Sequence, residues 1–200
     1  NYLLLTDNLC DPSHVNYVHP TTLGDPSGEA ASVSLEEREG CVTTIRWTPA
    51  SDPVGFFKVF GNFPGKVDRW QYYHMHVPST AIIDFGSAAA GAGAMDGNRD
   101  DCIQTYSCHF MTPVDESTTI DYWLHVRNFA PDDDSVTDGI SEQFRIAFAE
   151  DKIILQAVQK SEERHGVEGR AGIDIDAGPG LFRHLVNKAL RAERQAEAAE

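Results

Sequence analysis

Residues 118–158 read TTIDYWLHVRNFAPDDDSVTDGISEQFRIAFAEDKIILQAV. Two kinds of structure meet inside this stretch. From Thr118 to Phe129 the chain is rich in β-branched and aromatic residues, which favour a strand. After Pro131-Asp132-Asp133-Asp134 the period becomes helical. Ile140, Phe144, Ala147, Phe148, Ile154, Leu155 and Val158 fall on one stripe at about 100° per residue. The pattern predicts a helix from about Val136 to Arg164.

Upstream of this junction the chain reads as strands. The candidates are Cys41 to Trp47, Gly55 to Phe60, Arg69 to Val77, Thr80 to Phe85, Cys102 to Met111 and Thr118 to Phe129. Thr112-Pro113-Val114-Asp115-Glu116-Ser117 is a good turn, so the last two form a long antiparallel hairpin. A small-residue loop, Gly86 to Gly97, separates the middle strands. Strands in succession without intervening helices argue for one antiparallel sheet. Before them lie a short helical motif at residues 7–20 and a Gly/Pro/Ser-rich loop, Leu23 to Gly28. After the long helix, a loop with Gly169, Gly172 and Gly178-Pro179-Gly180 leads into a last helix, Leu181 to Glu197, with a solvated Ala/Glu-rich tail. The expected fold class is α+β: a curved antiparallel β-sheet wrapped around a long C-terminal helix, with a pocket between them. This is a helix-grip architecture of the START and Bet v 1 type.

The chain has 200 residues, 41% of them hydrophobic and 24% charged, which reads as soluble and globular. A net charge of −15 argues against nucleic acid and anionic membrane surfaces, which need clustered Lys and Arg. It leaves room for a small anionic ligand, since one local arginine suffices. No apolar run approaches the roughly 18 residues of a membrane span. Cys10, Cys41, Cys102 and Cys108 form no Cys-x-x-Cys and read as buried thiols in a reducing cytoplasm. The sequence starts in mid-pattern, as the inside of a larger protein would.

The chemistry concentrates in Asp11-Pro12-Ser13-His14-Val15-Asn16-Tyr17-Val18-His19-Pro20. Metal-binding histidines on one helix face stand four apart, about 40° around the axis. His14 and His19 stand five apart, about 140°, so a straight helix cannot aim both rings at one point. The flanking prolines relieve this. Asp11 suits an N-cap and Pro12 a first helical position. Pro20 pushes His19 out of the α region, which frees its ring to swing towards His14. The pair then needs a third ligand. On the long helix, with Ile140 at 0°, Asp151 falls at about 20°, near the middle of the apolar stripe, while Glu150 falls at about 280°, off it. A buried carboxylate costs several kcal/mol unless it is paired or metal-bound. A salt bridge to Arg69 or Arg127 is one solution. A metal shared with His14 and His19 is the other. Two histidines and a carboxylate leave three positions open on an octahedral ion, as in the facial triad of non-haem Fe(II) oxygenases.

Here the sequence resembles the catalytic domain of Rieske non-haem iron oxygenases of the vanillate O-demethylase and dicamba monooxygenase kind. The resemblance rests on Asn8, Asp11, His14 and His19 at the spacing Asn-x-x-Asp-x-x-His-x-x-x-x-His. Glu150-Asp151-Lys152, Val67-Asp68-Arg69-Trp70 and, more loosely, Ile173 to Gly178 also fit, so it runs over nearly the whole chain. It implies that His14, His19 and Asp151 bind Fe(II). It implies that Asp11 bridges to a Rieske cluster on a neighbouring subunit, and that Asn8 stands beside the iron as weak ligand or donor. His109 is implied as a substrate contact. The [2Fe–2S] cluster needs Cys-x-His and Cys-x-x-His patterns, and neither occurs here. Residues 1–200 are therefore expected to be the catalytic domain, with the N-terminal Rieske domain outside this sequence. The implied partners are a small aromatic substrate, O2 and an NAD(P)H-dependent flavin/iron–sulfur reductase, in a homotrimer. The implied reaction is hydroxylation, or O-demethylation through a hemiacetal that collapses to a phenol and formaldehyde.

Other readings stand beside this one. His74-x-His76 on a strand point to one side, as metal ligands in cupins do, but no glutamate follows on that strand. His125 and His184 read as structural or exposed. Asp174-x-Asp176-x-Gly178 lacks the oxygens of a calcium loop. A helix-grip fold can also serve as a non-catalytic module that holds an apolar or aromatic ligand.

Overall fold

Six strands, each hydrogen-bonded to the next in sequence, form one antiparallel sheet in the order β1 to β6. The computed structural model describes residues 1–24, 32–167 and 172–199. Most of the Leu23 to Gly28 loop, and Gly169, lie outside the described residues. The strands are β1 (Val33–Arg38), β2 (Cys41–Ser51), β3 (Val67–His76), β4 (Thr80–Ala89), β5 (Ile103–Pro113) and β6 (Thr119–Arg127). Five of them are strands the sequence predicts. The sixth prediction, Gly55–Phe60, is corrected to a helix, α3. Its three-residue spacing puts Phe57 against Phe85 and Phe60 against Phe129. A helix satisfies both contacts from one face. The place at the sheet edge goes to β1, whose Val-Ser-Leu-Glu-Glu-Arg is almost wholly exposed and carries no core pattern to read.

The remaining helices are α1 (Tyr2–Cys10), α2 (Val15–Val18), α4 (Asp134–His165) and α5 (Ala177–Glu197). Helix α4 starts where the acidic run ends: Asp133 caps it by accepting from Ser135 and Val136. The sheet's concave face carries two hydrophobic clusters. Leu9 and Cys10 of α1 and Phe182, Leu185 and Val186 of α5 pack on Val42, Met75, Ala81 and Met111. Ile140 and Phe144 of α4 pack with Phe57, Phe85 and Ile103. Each such large side chain stabilises the fold by about 1.5–3 kcal/mol. The apolar stripe of α4 is buried only in its first half. Ile154 is 46% exposed and Val158 39% exposed, because α4 runs past the edge of the cluster after Asp151.

On the convex face, Trp70 is buried at the centre of the sheet. A Cβ on Gly86 would stand 2.2 Å from its ring, so only glycine lets the indole lie flat there. Asp84 accepts from Trp70 Nε1 at 2.9 Å, Gln104 at 2.6 Å and Arg99 at 3.0 Å. This network is structural: each of its buried polar atoms has a partner.

Candidate metal centre

The α1–α2 corner brings the two histidines together, by a route that corrects the sequence reading. Asp11 does not cap the helix that follows it. It ends α1, in extended geometry, and its carboxylate accepts from the Ser13 N–H at 2.7 Å. Residues 12–14 form a turn before the single turn of α2. His14 stands at the N-cap of α2, and His19 at its C-cap with φ −117° and ψ 47°, off the α region as Pro20 demands. The ring centroids lie 5.3 Å apart.

Each ring is held by its outer nitrogen. His14 Nδ1 donates to the Asp11 carbonyl, and His19 Nδ1 donates to Glu150 Oε2 at 2.9 Å. Both Nε2 atoms therefore face inward, to Asp151 Oδ1: 3.0 Å from His19 and 3.6 Å from His14. Asn8 Nδ2 donates to the same oxygen at 2.9 Å. The ligand atoms of His14, His19 and Asp151 lie within 4.8 Å of one another, and among the described residues they are the one such cluster. Burial holds the His14 imidazolium below its ordinary pKa, against the pull of Asp151. Burial opposes the charge on His19 too, but its hydrogen bonds to Asp151 and Glu150 outweigh it and raise the pKa. Arg127, one suggested partner for Asp151, instead donates to the backbone carbonyls of Phe129, Ala130 and Asp133.

The corner is braced from below and behind. Arg46, buried on β2, donates to the Pro12 carbonyl at 3.2 Å. The N–H groups of Thr22, Leu23 and Gly24 converge on the His19 carbonyl, Gly24 at 2.7 Å. A Cβ on Gly24 would stand 2.8 Å from that carbonyl oxygen and 2.6 Å from that of Val15, so the loop passes too close for any other residue.

A cavity lies between this corner, α4 and the concave face. His109 lines it, fully buried on β5. Its Nδ1 bonds Asp121 at 2.8 Å and its Nε2 bonds Ser107 at 2.9 Å. Ser107 also bonds His125 Nε2 at 3.0 Å. With one proton, Ser107 donates to one ring and accepts from the other. His125 stacks on Phe144 and is held neutral, its pKa pushed down to about 3 by burial and then by His109. A wider groove lined by Leu5, Trp123 and Lys152 shares Asn8, His109, Phe148 and Asp151 with the cavity.

Sequence reasoning missed Glu150 as the residue that orients His19, since it lies off the apolar stripe. It also missed Ser107, which the two-residue spacing from His109 could have signalled. His74 and His76 stand on the other face of β3, where His74 bonds Thr43 at 2.9 Å. His184 is exposed, and the Asp176 carboxylate accepts from the Ile173 N–H at 3.0 Å. All four cysteines are free thiols.

Residues 1–192 match the profile of the vanillate O-demethylase oxygenase C-terminal domain. The chain belongs to that family. Two curated relatives agree. The putative toluene-4-sulfonate monooxygenase system iron-sulfur subunit TsaM2 of Comamonas testosteroni is 35% identical over 96% of this chain and 57% of its own length. The vanillate O-demethylase oxygenase subunit of Pseudomonas sp. (strain ATCC 19151) is 30% identical over 99% of this chain and 62% of its own. The crystal structure of dicamba monooxygenase bound to dicamba shares the fold, with a TM-score of 0.79 at 24% identity, over 100% of this chain and 57% of that one. The vanillate O-demethylase family domain thus spans less than two thirds of the relatives it matches. Among the described residues, no helix is long and apolar enough to cross a membrane.

Proposed function

We propose that this chain is the catalytic, iron-binding part of a Rieske-type monooxygenase that O-demethylates or hydroxylates a small aromatic acid. One observation carries the reading: two imidazole Nε2 atoms and one carboxylate oxygen converge in a mostly buried site, with the outer nitrogens already bonded. Locking the outer nitrogen is how a protein fixes the tautomer and aim of a metal-binding histidine. The donor set fits ferrous iron. Two neutral nitrogens and one anionic oxygen suit it, and so few protein ligands leave coordination positions open. Asn8 Oδ1, buried and with no hydrogen-bond partner among the described residues, is a further oxygen beside the site.

In this reading His14, His19 and Asp151 hold Fe(II), which when bound supplies the centre for dioxygen activation. Asn8 steadies Asp151. Glu150 and the Asp11 carbonyl aim the two rings. The Asp11 carboxylate lies on the electron path from a [2Fe–2S] cluster carried by a separate Rieske domain, on a neighbouring subunit of a homotrimer. His109 contacts the substrate ring from the cavity wall, and the apolar lining around Phe144 and Phe148 excludes water. Electrons come from an NAD(P)H-dependent flavin/iron–sulfur reductase in the cytoplasm. Vanillate, dicamba and toluene-4-sulfonate in the relatives' names support an aromatic acid as substrate.

Anaerobic reconstitution tests the centre. One Fe(II) per chain is expected, with binding abolished in Asp151→Ala and the fold retained by circular dichroism. Iron binding that is undiminished in Asp151→Ala would refute the assignment.

A further inference from the structure

Strands β5 and β6 set four polar side chains in a row on the concave face. Residues two apart on one strand share a face, and so do residues directly opposite across the ladder. Ser107 stands opposite His125 and His109 opposite Trp123, with Asp121 two residues along β6 from Trp123. The hydrogen bonds follow the row: His125 to Ser107 at 3.0 Å, Ser107 to His109 at 2.9 Å, and His109 to Asp121 at 2.8 Å. The row crosses from one space to the other. Asp121 lines the groove, His109 lines both groove and cavity, and Ser107 lines the cavity.

A carboxylate at one end sets the direction of every proton in the row. Asp121 only accepts, so His109 Nδ1 donates to it. A neutral imidazole carries one N–H, so His109 Nε2 is then a lone pair, and Ser107 gives it its single proton. What remains on Ser107 is acceptor. One lone pair takes the His125 Nε2–H, and the other is left over. The row therefore offers the cavity a lone pair and no donor. The groove side is short of donors too: Asp121 Oδ1 is buried with no hydrogen-bond partner among the described residues. Phe148 covers the junction edge-on, its ring centroid 5.1 Å from that of His109 and 5.1 Å from that of Trp123.

We propose that the His109–Ser107 end of the cavity receives a hydrogen-bond donor of the substrate, a hydroxyl on an aromatic ring, with Ser107 Oγ as its acceptor and the ring against Phe148. Asp121 is a positioning residue that acts through His109. A carboxylate or sulfonate finds no donor at this end and faces the Asp121 charge, so an acid group on the same ring points away from it. This deepens the oxygenase reading, on which it rests, by naming the substituent that faces His109. The contact itself is measurable without turnover.

Two NMR measurements on the purified, metal-free chain at neutral pH test it. Nitrogen spectra of the imidazole rings should show His109 neutral, with its proton on Nδ1. Titration should show phenol binding about threefold or more tightly than anisole, which has no O–H but one more methyl to bury. Asp121→Asn can donate as well as accept, so it frees the tautomer. The Nε2-protonated form of His109 should then appear. The phenol-to-anisole ratio should shrink by about threefold or more, as Ser107 gains a proton to give. Anisole affinity at or above the wild-type value shows that the cavity is intact. A wild-type His109 that is charged or protonated on Nε2 would overturn the proposal. So would anisole binding as tightly as phenol, a wild type that binds neither, or a folded Asp121→Asn that leaves tautomer or ratio unmoved. The wild-type measurements decide the matter if Asp121→Asn does not fold. Iron stoichiometry after anaerobic reconstitution of the same chain separates the two readings. A chain that takes no iron but prefers phenol sinks the oxygenase assignment alone, and one that takes iron without that preference sinks this contact alone.

Discussion

Three residues show how the site divides its work between bonds and burial. Asp151 sits where the helix pattern wants leucine, and its cost is offset by Asn8, His14 and His19. Glu150, its neighbour, faces another way and orients His19. His125 solves the opposite problem, a buried base kept uncharged. Its pKa in the folded chain, about 3, lies below the ordinary 6.5, so acid protonates the unfolded chain first. The fold therefore loses stability from this group as pH falls from 6.5 towards 3, and loses none above 6.5. The loss is at most about 1.4 kcal/mol per pH unit. Urea unfolding at about pH 7 and about pH 5 should show a smaller acid loss in His125→Gln than in wild type. Equal losses would assign the acid sensitivity to other groups.

At the scale of elements, the α1–α2 corner is a device for bending two histidines onto one point. Neither helix supplies the bend. Pro12 and Pro20 interrupt the chain, and Gly24 folds the following loop back onto the His19 carbonyl. Gly24→Ala would force that carbonyl to move by a few tenths of an ångström or more, since the added Cβ meets oxygens at 2.6 and 2.8 Å. The expected cost is about 1–3 kcal/mol of stability, as for other overpacked sites. Iron binding should weaken with it, because the same shift turns the His19 ring. Thermal unfolding with and without Fe(II) measures both effects. An unaltered iron-induced shift in Gly24→Ala would mean that the loop supports the fold but not the site.

For the whole molecule, a charge of −15 on 200 residues sets a background of self-repulsion. Salt should relieve it, since the screening length falls from about 10 Å at 0.1 M to about 3 Å at 1 M. The unfolding midpoint should then rise with added NaCl, by about 2–4 °C for each kcal/mol of repulsion removed. A midpoint that falls with salt would show that ion pairs such as Arg183 with Asp7 outweigh the repulsion.

The sequence by itself determined the strands β2 to β6 and the long helix, and it picked out His14, His19 and Asp151, which the fold brings together, because each leaves a periodic or spaced mark. Hydrophobic stripes fix α4, and the wheel picks Asp151 because a charge in a stripe is conspicuous. The five-residue spacing of His14 and His19 with Pro20 behind it signals a bend, though not that Asp11 ends one helix before it. Only the tertiary structure decided the rest. Gly55–Phe60 has strand composition, yet two of its three phenylalanines, Phe57 and Phe60, find partners on one side and make it a helix. The second half of α4 keeps its apolar stripe but leaves the core, since nothing in a local pattern records where the neighbouring layer ends. Glu150, Ser107 and Arg46 act through atoms distant in sequence, and a one-dimensional period cannot show which side chains from separate elements meet.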